Sequence, residues 1–233
     1  MRGAVAGVLL GLVSAALLGC GAHPVPNHGA RATNTVRAVT PTLTPSPTSA
    51  PVHSPKVTAK STAKPSPSAH LTPDPRNRFY SADKTRYASV WYPGRHRIME
   101  PFGCTPAPYY TPDPRCSHHE GYHHGIDIAL PCGTEITAGV SGRVISPSSP
   151  GTPGPAYGRT AFRIRTAAGQ DVLIGHARTV FVHPGDRVRR GERIALAGAR
   201  GAPDGCHLHL EVRPAGGGYQ QAVNPMAVAR LRG

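Results

Sequence analysis

Four histidines crowd into residues 118–124, inside the run Cys116-Ser117-His118-His119-Glu120-Gly121-Tyr122-His123-His124-Gly125-Ile126-Asp127. Imidazoles and carboxylates at such short spacing are zinc-ligating chemistry, and this run spells two incompatible zinc sites. His119-Glu120-Gly121-Tyr122-His123 reads HExxH, in which two histidines one helical turn apart hold the metal and the glutamate between them acts as base. His123 with Asp127 reads HxxxD, a half-site that needs a further ligand elsewhere. His123 belongs to both.

The HExxH reading requires a helix, and the segment is a poor one. It follows Pro112-Asp113-Pro114, carries Gly121 and Gly125 at a cost of roughly 1 kcal/mol each relative to Ala, and shows no apolar stripe at helical spacing. The HxxxD reading finds its partner in Cys206-His207-Leu208-His209-Leu210-Glu211-Val212, which alternates polar and apolar residues as a half-buried strand does. His207 and His209 then share one face, with Leu208, Leu210 and Val212 beneath. Two surface histidines on an amphipathic strand would look the same, so the HxH gains weight only from the half-site.

His123, Asp127 and His209 together make two imidazoles and a carboxylate, a set that suits zinc and leaves the fourth tetrahedral position open, as catalytic sites require. A fully extended chain from 123 to 127 would hold the two Cα atoms about 13 Å apart, so the chain must bend, and Gly125 permits it. The expectation is His123 in a loop and Asp127 at the start of a strand Ile126–Leu130, with Ile126 and Ile128 facing the core.

These residues carry a family resemblance. The order His123-His124-Gly125-Ile126-Asp127, Gly175-His176-Ala177, Pro184-Gly185-Asp186-Arg187-Val188 with Gly191, Gly198-Ala199-Arg200-Gly201 and His207-Leu208-His209 resembles the lysostaphin-like, LytM-type zinc peptidoglycan endopeptidases. The resemblance covers residues 98 to 226 and takes in Phe102-Gly103 and Val223-Asn224-Pro225. It implies an all-β, β-dominated fold with an antiparallel sheet of the LytM type (duplicated hybrid motif). It also implies one zinc ion per domain held by His123, Asp127 and His209, with His176 and His207 as catalytic histidines that do not ligate.

In that reading zinc activates a water as nucleophile, His207 is the base, and His176 steadies the oxyanion or the substrate carbonyl, the last two roles being exchangeable. His176 is expected to share a strand face with Val172 and Ile174. The substrate implied is the peptide part of peptidoglycan, its cross-links or stems. The alternative is a wall-binding lipoprotein that positions or activates another hydrolase.

Local patterns agree with the β reading. Short alternating runs such as Phe162-Arg163-Ile164 and Glu192-Arg193-Ile194-Ala195-Leu196 are separated by Gly and Pro turns, and no repeat or long helical period is present. Residues 76 to 233 suffice for one domain with its own core, and residues 76–97 are expected either to wrap it or to lead into it.

The amino terminus points outside the cytoplasm. Met1-Arg2 and the apolar run Ala4 to Leu18 read as a secretory signal, and Leu17-Leu18-Gly19-Cys20 resembles the bacterial lipobox, in which Cys20 is lipidated. Removing Cys20 from the five cysteines leaves an even set for two disulfides in an oxidising compartment. If the strands of Asp127 and His209 converge antiparallel on the metal, Cys132 and Cys206 are displaced in the same direction from it. That predicts Cys132 with Cys206, and Cys104 with Cys116.

Residues 21–75 hold 11 Pro, 9 Thr and 6 Ser with one acidic residue, too little apolar surface to offset chain entropy. They are expected to form a disordered tether with a reach on the order of 170 Å. The organisation expected is therefore a lipoprotein signal (1–20), a linker (21–75) and a zinc peptidase domain (76–233), anchored outside the cytoplasmic membrane and reaching into the wall. From residue 76 onward 20 Lys and Arg stand against 11 Asp and Glu, with Arg187, Arg189, Arg190 and Arg193 close together. Such a surface attracts anionic wall polymers and anionic lipid, and no nucleic-acid motif accompanies it.

Overall fold

The computed structural model describes residues 71–233. The expected signal with Cys20, the expected lipidation site, and residues 21–70 of the expected linker, lie outside the described residues.

Thirteen short strands make up the domain: β1 (Arg86–Ser89), β2 (Tyr92–Glu100), β3 (Gly103–Thr105), β4 (Gly121–His123), β5 (Ile126–Ala129), β6 (Glu135–Thr137), β7 (Gly142–Val144), β8 (Phe162–Arg165), β9 (Gln170–Gly175), β10 (Thr179–Val180), β11 (Arg187–Val188), β12 (Arg193–Leu196) and β13 (His207–Pro214). One α-helical turn, α1 (Met226–Ala229), follows. Among the described residues no helix is long and apolar enough to cross a membrane. The main sheet is antiparallel in the order β1-β2-β5-β13-β9-β8-β7-β11, with a three-stranded sheet β10-β12-β6 and the pair β3-β4 beside it. The fold is β-dominated.

Period-two alternation sorts the two faces of the main sheet. Ile98 pairs with Ile128, Ile128 with Leu208, Leu210 with Ile126 and Ile174, and Val212 with Val172. This ladder joins Ile136, Ile194 and Ala195 of the small sheet and Trp91 in one core. The opposite face carries a polar row, Glu100–Asp127–His209–Gly175, contributed by β2, β5, β13 and β9 at facing positions. That row is the floor of the site.

Residues 86–97 are part of the sheet: the β1-β2 hairpin forms its edge, and Trp91 is buried with its Nε1–H donated to the Val228 carbonyl. Asp74, within the stretch expected as linker, is buried and accepts the backbone N–H of Cys206 at 3.0 Å. Disulfides join Cys104 to Cys116 and Cys132 to Cys206.

Candidate metal centre and catalytic groove

His123 ends β4, a three-residue strand paired with β3, and not the loop expected for it. The chain bends at residues 124–125 and re-enters the sheet with Asp127 on the polar face. His119 has a left-handed φ of 58° and residues 121–123 are extended, so the helix that HExxH needs does not form. His118 and His119 are exposed.

Three ligand-type atoms converge in the buried centre. His123 Nε2 lies 3.2 Å from His209 Nδ1, His209 Nδ1 lies 2.8 Å from Asp127 Oδ1, and His123 Nε2 lies 3.5 Å from the same oxygen. Zinc with bonds of about 2.0–2.1 Å sets tetrahedral ligand edges near about 3.3 Å, so these spacings match its coordination shell.

The outer hydrogen bonds fix the right tautomers. His123 donates Nδ1–H to the Pro101 carbonyl at 3.0 Å, and His209 donates Nε2–H to the Glu211 carboxylate at 3.2 Å. His123 Nε2 and His209 Nδ1 are therefore the atoms the two rings present to the centre, the arrangement that metal-ligating histidines adopt. Asp127 is held well below the usual carboxylate range, because the His207, His123 and His209 rings outweigh the opposing effect of burial. Burial would lower His209, but Asp127 and Glu211 overcome it and hold the ring up at about 9. Two ring nitrogens and a carboxylate facing one point favour a positive charge there. The residues fit zinc.

Glu211 was not singled out in the sequence, although it shares the face of His207 and His209 by simple alternation. Its second oxygen accepts Nε–H of the buried Arg213, whose Nη2 donates to the Tyr157 hydroxyl at 2.9 Å. The Tyr157 ring packs edge-on against His209, 5.2 Å between centroids, and closes the circuit. Glu100 was missed as well. It is fully buried, and burial raises its carboxyl to about 7, with His123 acting against that shift and Asp127 adding to it.

His207 and His176 flank the centre, 4.6 Å apart. His207 donates Nδ1–H to the Gly205 carbonyl at 3.0 Å, leaving Nε2 3.5 Å from Asp127 Oδ2 and without a hydrogen-bond partner. His176 does not continue the Val172–Ile174 strand face. β9 ends at Gly175, and His176 takes a left-handed φ of 57°, which swings its ring to 5.8 Å from His209. Its Nδ1–H goes to the Arg200 carbonyl at 2.8 Å, and burial followed by the His207 and His209 rings pushes it down to about 3. Anchored through Nδ1, the ring has Nε2 left for either of the two roles expected for it.

The centre opens into a groove of about 890 Å³ walled by Tyr109, Tyr110, Tyr122, Tyr157 and Tyr219. Asp204, buried on its wall, accepts the Tyr109 hydroxyl at 2.9 Å.

Residues 121–225 match the family described as Peptidase family M23. The DD-carboxypeptidase/endopeptidase Mpg of Neisseria meningitidis serogroup B is 36% identical over 133 residues, 57% of this chain and 27% of that protein. The peptidoglycan DD-endopeptidase ShyB of Vibrio cholerae is 33% identical over 90 residues, 39% of this chain and 20% of that protein. The chain thus spans about a quarter or less of the length of these relatives. The solved structure of LytU is 31% identical, with 57% of this chain and 83% of that one aligned at a TM-score of 0.46. The family match takes in all three converging residues, and the chain belongs to Peptidase family M23 through residues 121–225.

Proposed function

We propose that this protein is a zinc-dependent endopeptidase that hydrolyses peptide cross-links or stems of bacterial peptidoglycan. The observation that carries it is the convergence of His123 Nε2, Asp127 Oδ1 and His209 Nδ1, the two rings held from behind by Pro101 and Glu211, at the floor of an aromatic groove. The relatives named for peptidoglycan and DD-endopeptidase activity support the substrate class. His123, Asp127 and His209 would hold the zinc, which when bound supplies a Lewis acid for the scissile carbonyl and makes water nucleophilic near neutral pH.

The remaining chemistry belongs to the side chains. His207 keeps its Nε2 lone pair free at the metal centre, so it accepts the proton of the attacking water and returns it to the leaving amine. His176, neutral and anchored on Arg200, accepts a hydrogen bond from that water or from a substrate N–H and orients it. The tyrosine walls bind the peptide strand and exclude bulk water.

We also assign the amino terminus to a lipid anchor at Cys20 and a tether, which place the domain outside the membrane. Two disulfides fit an oxidising compartment. Of the basic cluster, Arg187, Arg189 and Arg190 are exposed and Arg193 is paired with Glu135 at 3.0 Å, which narrows any surface for anionic wall polymers.

Zinc content of the purified protein and mass spectrometry of fragments released from defined peptidoglycan test the proposal. New peptide ends that vanish in His209→Ala are the expected result. A zinc-loaded protein that releases none would leave the wall-binding lipoprotein as the better reading.

A further inference from the structure

Glu100 ends β2 directly opposite Asp127 of β5, and facing residues of an antiparallel pair project to the same side of the sheet. It is fully buried, and neither carboxylate oxygen makes a hydrogen bond of ordinary geometry, although the His123 ring and the Thr105 side chain act to lower its pKa. The next residue, Pro101, holds His123 through its carbonyl, so Glu100 stands in the wall of the metal centre itself. Yet its oxygens are not among the three ligand atoms that converge there.

A buried carboxylate without a partner is costly, and a second carboxylate facing it adds repulsion. Burial is the main cost, since the His123 ring opposes the repulsion from Asp127, and Glu100 on balance burdens the metal-free protein. Metal binding changes the balance. Two neutral imidazoles and Asp127 bring one negative charge to a divalent ion and leave a net positive charge in a buried site, one cross-strand position from Glu100. The carboxylate whose oxygens lack a well-formed hydrogen bond finds its counter-charge there.

We propose that Glu100 is the outer carboxylate of the metal centre, a positioning residue that supplies the second negative charge opposite the ion without ligating it. This rests on the zinc reading above. It follows that the apo protein is destabilised by the same group that tightens metal binding, a pairing of opposite effects that an ordinary packing residue does not produce.

Glu100→Gln in the full chain tests it at pH 8, with zinc affinity measured by competition against a chromophoric chelator and thermal melting measured after zinc removal. The expected result is zinc affinity weakened by about 10–100-fold together with a higher melting temperature of the apo protein. Glu100→Met, of similar length and uncharged, should move both readouts in the same directions. Affinity within about twofold of the unaltered chain, a lowered apo melting temperature, or failure of both variants to fold would each overturn the role of Glu100. An unaltered chain that takes up no zinc would instead overturn the metal centre and the proposed function with it.

Discussion

Gly125 stands where a Cβ would come within 2.6 Å of Cε1 and 2.8 Å of Nε2 of His209, and within 2.8 Å of the Leu210 carbonyl oxygen. The glycine is thus required by space, since its φ is not left-handed. The ring cannot yield easily, being held between Glu211, Asp127 and Tyr157. Gly125→Ala should displace His209, cost about 1–3 kcal/mol of stability through overpacking, and abolish stoichiometric zinc binding. Thermal melting and zinc analysis of the variant check this, and wild-type metal content would show that the ring has room to move.

Glu211 has two jobs that a single substitution separates from simple packing. It holds the His209 ring from behind the three converging atoms, and it neutralises the buried Arg213. Glu211→Gln should weaken zinc binding by about 10–100-fold and, by leaving Arg213 without its ion-pair partner, destabilise the fold by about 3–5 kcal/mol. Adding Arg213→Met should restore much of the stability but none of the affinity, which calorimetry and zinc titration read independently.

His207 and His176 should part company with the ligands and with each other. Neither supplies one of the three converging atoms, so His207→Ala and His176→Ala should both keep stoichiometric zinc. Loss of the proposed proton carrier should cost His207→Ala about 100–10,000-fold in kcat. With His176 pushed down to about 3, no ionisation of that ring falls between pH 5 and 8. Any acid limb of the rate profile in that window must therefore persist in His176→Ala, and its disappearance would reassign the ionisation.

Much of this was legible from residues 206–212, because strict alternation fixes which side chains share a face, and from the HxxxD spacing, which forces a bend. The antiparallel convergence of β5 and β13 also yields the Cys132–Cys206 pairing that is observed. What escaped depends on register and backbone angle. Nothing in Met99-Glu100-Pro101 announces that Glu100 faces Asp127 across a bulge in β2. The β4 strand has three residues and no apolar alternation, so His123 read as a loop residue. His176 departs from its strand because φ turns positive one residue past Gly175, and alternation extrapolated one position too far.

The two disulfides should contribute unequally. Cys132–Cys206 spans 74 residues and Cys104–Cys116 spans 12, so chain-entropy arguments give about 4 and about 3 kcal/mol. The longer link also ends one residue before His207. Replacing its cysteines with serine should lower both the melting temperature and kcat, whereas loss of the Cys104–Cys116 link should act on β3-β4 and thereby on His123. Denaturant titration of the two double variants separates these effects, and equal losses would argue against the entropy account.

Asp74 gives the fold an acid-sensitive clasp at the same corner. Its carboxylate accepts the backbone N–H groups of Cys206 and Arg76, each at 3.0 Å, and pairs with the Arg76 guanidinium. The Arg76 side chain lowers its pKa from 3.8 to about 2, with burial opposing and the two backbone N–H groups assisting. The folded state therefore holds the proton more weakly than the unfolded chain does. Stability from this group is complete above about pH 4 and is lost as pH falls towards about 2. Asp74→Ala leaves the Cys206 N–H without that acceptor and should cost about 1–3 kcal/mol at neutral pH. The difference from the unaltered chain should then shrink between pH 4 and pH 2, as Asp74 becomes protonated in both folded and unfolded forms. Because Cys206 lies between Gly205, which anchors His207, and His207 itself, the same variant should lower kcat more than it raises KM. A melting difference that stays constant down to pH 2 would show that Asp74 does not act through its charge.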